Sequence, residues 1–158
     1  MNSLVYDYLG NYPQHIPVIA EWHQNEWSHI SPELTTKKRI ENYSLYRNQP
    51  DIPCCIIALE DGNLAGSVSL VKCDLETRPH MGPWLASLYV NQAFRSRGIA
   101  SGLIEACLDI ARQLNIPKIY LFTPDQTAFY QKRGWQIVES TSHHGESIDI
   151  MSYDMNDL

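Results

Sequence analysis

The alternation of apolar and polar positions predicts strands in the first half of the chain. Residues 4–8 alternate in this way and are expected to form a short first strand. Two apolar runs, residues 54–59 and 64–71, flank the turn sequence Asp61-Gly62-Asn63. An Asp-Gly pair between apolar runs is typical of the tight turn of a β-hairpin, so these runs are predicted to pair antiparallel.

Helical periodicity occupies the segment between the first strand and that hairpin. In residues 13–27 the apolar positions fall near one stripe, which predicts an amphipathic helix. A second helix is expected to begin at Ser31-Pro32, because serine caps helices and proline suits the first helical position. This helix is predicted to end near residue 46.

The second half of the chain follows a different order. Residues 84–90 are predicted to form a strand, residues 98–114 a helix and residues 118–123 another strand, and this order favours a parallel strand pair. A short helix over residues 127–133 and strands over 136–139 and 147–153 complete the chain. The pattern predicts a mixed α/β sheet with helices on its faces, and the length favours one domain, residues 1–158.

The amino-acid composition disfavours nucleic acids and membranes as binding partners. The chain of 158 residues has 12 Lys and Arg against 18 Asp and Glu, a formal net charge of -6 at pH 7. This balance disfavours nucleic acid, which needs a basic face. No apolar run approaches the ~18 residues of a membrane span, and no basic leader is visible, so we expect a cytoplasmic protein that binds neither nucleic acid nor membrane.

The cysteines and histidines do not indicate a metal site. The four cysteines form no Cys-x-x-Cys pair, and buried, reduced thiols are expected. His23, Glu26 and His29 are spaced by three, which does not match the spacing of a zinc-binding helix. We therefore predict no metal.

A segment of small and basic residues lies between the predicted strand at 84–90 and the helix that follows. Small side chains let a ligand approach the backbone, and the first N–H groups of a helix have no intrahelical partner. With two arginines beside the positive end of the helix dipole, the segment suits an anion such as a pyrophosphate. The residues alone fit a turn with solvated arginines equally well. The segment reads Arg95-Ser96-Arg97-Gly98-Ile99-Ala100-Ser101-Gly102.

Three segments together resemble the GNAT superfamily of N-acetyltransferases. Arg95-x-x-Gly98-x-Ala100 resembles its acetyl-CoA signature, Gln/Arg-x-x-Gly-x-Gly/Ala, and Leu88-Tyr89-Val90 corresponds to its central strand. Downstream, Phe129-Tyr130-Gln131-Lys132-Arg133-Gly134-Trp135 resembles its Phe-Tyr-x-x-x-Gly-Phe/Trp segment. The chain departs from many members at Asp125, where they carry Asn. The resemblance implies a mostly antiparallel sheet of about six or seven strands, with one splayed parallel pair and about four flanking helices.

The resemblance also implies how acetyl-CoA would be bound. Leu88, Tyr89 and Val90 would pair with the pantetheine through backbone amides, as an added strand does. The N–H of Leu88 would also face the thioester carbonyl as an oxyanion donor, and Phe129 would pack against the cofactor. The pyrophosphate would bind to Arg95, Ser96, Arg97, Gly98, Ile99, Ala100 and Ser101.

The predicted catalytic residue is Tyr130, which the resemblance places beside the leaving thiolate as a proton or hydrogen-bond donor. The general base stays open. Glu26, Asp125 and His80 are the candidates, with ordered water as an alternative. Trp27 and Trp84 are expected either to belong to the core or to flank an acceptor pocket, where Glu26 and Asp125 would also contact the substrate.

The sequence thus predicts an acetyl-CoA-dependent N-acetyltransferase that acts on a primary amine by direct attack in a ternary complex. The acceptor would be a small molecule or a peptide, and the acidic surface favours a cationic one. Two alternatives remain: a non-catalytic acyl-CoA-binding regulatory module, and an enzyme that acetylates protein N-termini. The sequence leaves open whether the protein is a homodimer.

Overall fold

The computed structural model describes residues 3–155, so residues 1, 2 and 156–158 of the predicted single domain lie outside the described part. Within it, seven strands form one sheet and four α-helices pack against it. The strands are β1 (Leu4–Tyr8), β2 (Cys54–Glu60), β3 (Asn63–Val71), β4 (Trp84–Val90), β5 (Lys118–Thr123), β6 (Gln136–His143) and β7 (Glu146–Asp154). The helices are α1 (Ile16–Trp27), α2 (Thr36–Ser44), α3 (Ile99–Gln113) and α4 (Thr127–Gln131).

The sheet has the strand order β1-β2-β3-β4-β5-β7-β6. Its neighbouring strands are antiparallel except β4 and β5, which are parallel and are joined through α3. A mixed, mostly antiparallel sheet with one parallel pair is the predicted fold class, which is confirmed.

The predicted hairpin is confirmed at β2 and β3. Asp61 and Gly62 connect the two strands with φ angles of 52° and 82°. Two successive residues with positive φ make the kind of turn whose twist matches that of a β-hairpin. The turn sets the register of the antiparallel pair, in which Glu60 lies opposite Asn63.

The start of the second helix was predicted wrongly. Ser31-Pro32 does not cap a helix, because the N–H of Leu34 donates to the carbonyl of Ser31 in an isolated turn, 3.1 Å apart. Helix α2 begins at Thr36, and the hydroxyl of Thr35 accepts the N–H of Lys38 at 3.1 Å. Threonine also caps helices, although less favourably than serine, so the sequence offered two starts and the helix uses the later one.

Strands β4 and β5 diverge along their length. Trp84 lies opposite Tyr120, and the N–H of Tyr120 donates to the carbonyl of Pro83 at 3.0 Å, but no further residues pair between these strands in the described part of the chain. The resulting gap lies between Leu88 of β4 and Phe122 of β5. This is the predicted splay, and it gives the sheet an opening at its centre.

Strand β4 also carries a β-bulge where it passes β3. Ser69 pairs with Ala86 whereas Ser67 pairs with Tyr89, so two residues of β4 oppose one residue of β3. Ser87, at the bulge, has a φ of 55°, which non-glycine residues rarely adopt. A bulge leaves ladder groups unpaired and redirects the strand, so Ser87 and Leu88 are displaced toward the opening beside β5.

The main core lies between α3 and the sheet, and a second core lies under α1 and α2. Trp84 is completely buried in a third cluster with Leu75, Ile148 and Ile150. Its indole N–H donates to the carbonyl of Met81 at 2.9 Å. The expectation that Trp84 flanks an acceptor pocket is therefore wrong, because its side chain points into the core.

Two further expectations need correction. Cys54, Cys55 and Cys107 are buried free thiols as predicted, but Cys73 is exposed. The last two strands are longer than predicted, since β6 continues to His143 and turns at His144-Gly145. Among residues 3–155, no helix is long and apolar enough to cross a membrane, and no group of His, Cys, Asp and Glu could hold a metal ion.

Candidate active site

The loop that enters α3 is shaped by two residues with positive φ. Ser96 has a φ of 65° and Gly98, the N-cap residue, a φ of 80°. No atom of the described residues lies within 4 Å of the position that a Cβ on Gly98 would occupy, so the backbone there is open on its outer side. The N–H of Gly102 is the first to donate back along the helix, to Gly98 at 3.1 Å. The preceding amide groups are therefore left for another partner.

Gly102 does not belong to this open surface, contrary to the sequence interpretation. A Cβ at Gly102 would lie 1.8 Å from the hydroxyl oxygen of Tyr6, which comes from β1. The residue is small because the tyrosine packs against the helix, and not because a ligand approaches it.

Arg95 and Arg97 lie in the same loop but differ in what they bind. The Nε of Arg95 donates to the carbonyl of Val90 at 2.9 Å, which ties the loop to the end of β4. Arg97 forms an ion pair with Glu60, whose side chain is mostly buried. The charge of Arg97 is thus partly balanced within the protein, whereas Arg95 adds positive charge without an acidic partner among the described ion pairs.

A third arginine, which the sequence interpretation did not single out, joins α4 to α3. Arg133 donates to the Ser101 hydroxyl from both Nε (3.1 Å) and Nη2 (2.9 Å) and to the Phe129 carbonyl from Nη1 (2.8 Å). Its guanidinium also lies 3.7 Å from the centre of the Phe129 ring. The sequence signal for this role was the position of Arg133, four residues after Phe129 in the segment that resembles the GNAT family. Arg133 places a third cation beside the start of α3.

A cleft of about 260 Å³ lies where β4 and β5 separate. Residues from β4, β5, both first helices and the loop after β3 contribute to its walls. Five of the predicted site residues line it together, namely Glu26, Trp27, Leu88, Asp125 and Tyr130.

Tyr130 closes the cleft from the side of α4. It is only 8% exposed and packs edge-on against Phe129 and Trp135. Burial raises the pKa of its hydroxyl to about 12, although the nearby Arg133 opposes the rise. The phenol is therefore protonated at neutral pH and can act as a hydrogen-bond donor.

His80 does not reach the cleft. It is exposed in the loop before β4, on the side of the Arg78–Glu139 ion pair, where its charge contributes to lowering the pKa of Glu139. The prediction of His80 as a general base is therefore wrong. Glu26 and Asp125 remain on the cleft wall, both exposed to solvent.

Two charged residues that the sequence interpretation missed complete the wall, Arg39 from α2 and Asp74 from the loop after β3. Arg39 is 4% exposed, its Nε donates to the side-chain oxygen of Gln24 at 3.1 Å, and its Nη2 is buried without a partner. Burial raises the pKa of Asp74 to about 7, and the charge of Arg39 opposes this rise. An isolated Arg and an isolated Asp carry no motif, so no sequence signal marked them.

Behind this wall lies a buried polar chain. The two ring nitrogens of His23 share hydrogen bonds with the Tyr43 hydroxyl at 2.7 Å and the Ser67 hydroxyl at 2.9 Å. Burial, together with the charge of Arg39, lowers the pKa of His23 to about 3. His23 is therefore neutral near pH 7, and its nitrogens are occupied by structural contacts.

The sequence matches the Acetyltransferase (GNAT) family over residues 16–135, which is most of the chain. The chain belongs to the GNAT acetyltransferase family. The predicted family is confirmed, and with it the predicted class of enzyme, a GNAT acetyltransferase. No curated protein matches the sequence.

Solved structures support the GNAT fold at low sequence identity. Aminoglycoside 6'-acetyltransferase type Ii superposes with a TM-score of 0.74 at 16% identity, over 100% of this chain and 99% of its own. The protein yncA from Salmonella typhimurium, solved with acetyl-CoA, gives 0.73 at 13% identity, over 99% and 96% of the two chains. The PaiA N-acetyltransferase from Thermoplasma acidophilum, solved with coenzyme A, gives 0.70 at 17% identity, over 96% and 99%.

The GNAT cofactor suits the observed backbone. The start of α3 offers amide groups and an open Gly98 to a diphosphate, with Arg95 and Arg133 close by. The gap between β4 and β5 can admit an extended chain beside Leu88. The hydroxyl of Ser101, in contrast, already accepts two donors from Arg133 and is less available to a phosphate than predicted.

Proposed function

We propose that the protein transfers the acetyl group of acetyl-CoA to the primary amine of a small molecule bound in the cleft between β4 and β5. The observation that carries this proposal is the convergence of Leu88, Tyr130 and Asp74 on that cleft, next to the open start of α3. Acetyl-CoA supplies an acyl group that is activated as a thioester.

The binding role of the loop follows from its amides and charges. The N–H groups of Ile99, Ala100 and Ser101 would bind the diphosphate, with Gly98 leaving room and Arg95 adding positive charge. Residues Leu88, Tyr89 and Val90 would pair with the pantetheine through backbone groups. The carbonyl of Val90 already accepts Arg95, so the predicted strand-like pairing would rest mainly on Leu88 and Tyr89.

Leu88 is suited to stabilise negative charge on the acyl oxygen. It follows Ser87 in the β-bulge, and the bulge turns this part of β4 away from a regular ladder with β3. A fixed backbone N–H that points to a developing oxyanion is one of the larger contributions an enzyme can make. Leu88 would therefore act through its backbone, and its side chain could be varied.

Tyr130 would donate a hydrogen bond from its hydroxyl to the sulfur that leaves. With the pKa of Tyr130 raised to about 12, the donor is held in its protonated form. A free thiol has a pKa of ~8.5, so hydrogen bonding to the thiolate is favoured over complete proton transfer. Release of the thiol could take its proton from water.

Asp74 would accept a proton from the acceptor amine. An alkylamine of pKa ~10.4 is neutral in roughly one molecule in 2,500 at pH 7, and forming the neutral amine costs about 4.6 kcal/mol. A base whose own pKa lies near the working pH is the most effective. The pKa of Asp74, about 7, meets this condition, which makes it a better candidate than the exposed Glu26 and Asp125.

Direct attack by the amine fits the positions of the cysteines. Cys54, Cys55 and Cys107 are buried free thiols, and burial raises the pKa of each. Cys73 is exposed, but it does not line the cleft. No acyl-cysteine step is therefore proposed, and a trapped acetyl-enzyme would contradict direct transfer.

The test is thiol release from acetyl-CoA with a panel of small amines and peptides, beside a thermal shift with coenzyme A. Thiol release with small amines supports the proposal. A preference for peptide N-termini would favour the alternative of protein acetylation. Stabilisation by coenzyme A without transfer to any amine would instead favour a regulatory acyl-CoA-binding module.

The proposal extends to the organisation of the protein. One sheet runs through all the described strands, which supports a single acetyltransferase domain over residues 1–158. We place this enzyme in the cytoplasm, where acetyl-CoA is available, and propose no nucleic-acid or membrane partner. The outer strand β6 exposes Ile137 and Val138, a surface where a homodimer could form. Sedimentation analysis decides between monomer and dimer.

A further inference from the structure

The acceptor cleft contains one buried positive charge and several negative ones. We infer that the acceptor amine carries an anionic group, a carboxylate, which binds the guanidinium of Arg39. The inference rests on the proposed transfer to a small amine and names the class of that amine. It predicts a zwitterionic acceptor such as an amino acid.

The unpartnered nitrogen of Arg39 is the first observation. The residue is 4% exposed, and its Nη2 is buried with no hydrogen-bond partner. A buried charged donor without a partner is costly, since the desolvation of the group is not repaid by a hydrogen bond. Guanidinium groups bind carboxylates with short, charge-assisted hydrogen bonds, and a ligand carboxylate would remove this cost.

The neighbouring residues do not supply that partner. The Nε of Arg39 is held by Gln24, which fixes the direction of the guanidinium. The Tyr43 hydroxyl, which also interacts with Arg39, is already hydrogen-bonded to His23. The charge of Arg39 opposes the rise that burial causes in the pKa of Asp74, yet none of the ion pairs among residues 3–155 joins the two side chains. Arg39 thus lines the cleft with a guanidinium whose Nη2 has no hydrogen-bond partner among residues 3–155.

The negative charges of the cleft wall suit the ammonium group of a zwitterionic acceptor. Glu26, Asp74 and Asp125 line the same cleft. They would attract an ammonium group, while Arg39 attracts the carboxylate. This arrangement modifies the expectation drawn from the net charge, which favoured a purely cationic acceptor such as a polyamine.

The size of the cleft points to a small molecule. Its volume of about 260 Å³ lies below the ~300–1,000 Å³ typical of pockets for drug-sized ligands. Trp27 and Phe122 are apolar parts of its wall and would contact the side chain of the acceptor. A single amino acid matches this volume better than a multi-ring sugar does.

The experiment compares matched acceptors. A panel of amino acids is assayed beside the carboxamide and the decarboxylated amine of each, with acetyl-CoA as donor. The wild-type protein is expected to acetylate at least one free acid with a kcat/KM at least tenfold above that of its two analogues that lack the carboxylate. Equal rates for acids and carboxamides would overturn the inference while leaving the proposed function intact.

Variants of Arg39 test the assignment of the residue. Arg39→Met should abolish the preference for acids, and Arg39→Lys should restore part of it. Lys38→Met is the matched control, because Lys38 is an exposed cation on the same helix and does not line the cleft. A preference for acids that persists in a folded Arg39→Met protein would contradict the assignment. If that variant does not fold, the wild-type comparison of acids with carboxamides decides.

A binding measurement separates this inference from the proposed function. Thermal shifts are recorded with coenzyme A present and the same acceptor panel added. Stabilisation by the acids and not by the carboxamides supports the Arg39 site even if no turnover occurs, in which case only the proposed transfer fails. Absence of any shift by the acids, together with turnover of amines that lack a carboxylate, overturns the carboxylate site alone.

Discussion

The positive charge of Arg39 acts directly on the carboxyl group of Asp74 across the wall of the cleft. Burial raises the pKa of Asp74 to about 7, and Arg39 keeps it from rising further. The two residues come from α2 and from the loop after β3 and line one cavity. The pair therefore combines an anion-binding group with a proton acceptor that titrates near neutral pH.

The first prediction concerns the pH dependence of turnover. A base with a pKa of about 7 is active above that pH, so kcat should rise as the pH increases through about 7. Asp74→Asn should lower kcat at least about tenfold and remove this rise. Arg39, Tyr43 and Tyr46 interact electrostatically with Asp74, and burial raises the pKa of both tyrosines far above this range. His29 also lines the cleft, and His29→Gln should keep the rise. A steady-state pH profile of both proteins measures the effect.

A control for Asp74 comes from its two exposed neighbours on the cleft wall. Glu26→Gln and Asp125→Asn should keep the rise near pH 7, because Asp74 remains in place. If the rise of kcat near pH 7 is instead lost in Glu26→Gln or in Asp125→Asn, the residue changed in that variant is the base and Asp74 is not. Binding of coenzyme A, measured by calorimetry, should stay the same in all three variants.

The second prediction concerns stability, and its sign follows from the same raised pKa. A carboxyl group with a higher pKa in the folded than in the unfolded state stabilises the fold fully at acidic pH. That contribution is lost as the pH rises through about 7. Asp74→Asn should therefore make the protein more stable than wild type at pH 8, by at least about 1 kcal/mol. Urea unfolding at pH 5 and pH 8 measures it, and a loss of stability at pH 8 would contradict the burial of this charge.

The third prediction concerns Tyr130. Tyr130→Phe keeps the ring, which packs against Phe129 and Trp135, but removes the hydroxyl. Turnover should fall at least about tenfold, while affinity for acetyl-CoA stays within about twofold. Tyr120→Phe is a suitable control, because Tyr120 is half-buried beside Trp84 and does not line the cleft. Unchanged turnover of Tyr130→Phe between pH 6 and 9 would remove the hydroxyl from the mechanism.

The loop that we propose as the diphosphate site could be singled out from the sequence because it is contiguous. A turn with positive φ, the free amides of one helix and adjacent arginines all belong to the segment 95–101, so the motif and the structure coincide there. The parallel pair of β4 and β5 was also predictable, because strand-helix-strand order leads to such a pair, and its splay was implied by the resemblance to the GNAT family. The acceptor wall was not, since Arg39 and Asp74 are brought together only by the packing of α2 against the loop after β3.

Trp84 and His80 illustrate the opposite error. Both lie close to the cleft along the chain, and nearness in sequence suggested a place in the site. Successive residues of a strand point to opposite faces, and this alternation turns Trp84 into the cluster with Leu75 and Ile148. His80 precedes the strand in an exposed loop. Which face a residue occupies depends on the register of the sheet, which the sequence pattern left undetermined.

The fourth prediction separates backbone strain from cofactor binding at Gly98. Gly98 and Gly62 have φ angles of 80° and 82°, and a Cβ on either would meet no atom within 4 Å. Because L-residues tolerate this conformation poorly, alanine at either position should reduce stability by a similar amount, about 1–2 kcal/mol. Gly62 lies in the β2–β3 turn, whereas Gly98 is the N-cap residue of α3, whose free amides are the proposed diphosphate site. Only Gly98→Ala should therefore weaken coenzyme A binding, by about tenfold or more, because its methyl group would occupy the approach to the amides of α3. Chemical unfolding and calorimetry on both variants measure the two effects, and equal coenzyme A affinity in Gly98→Ala and Gly62→Ala would place the diphosphate elsewhere.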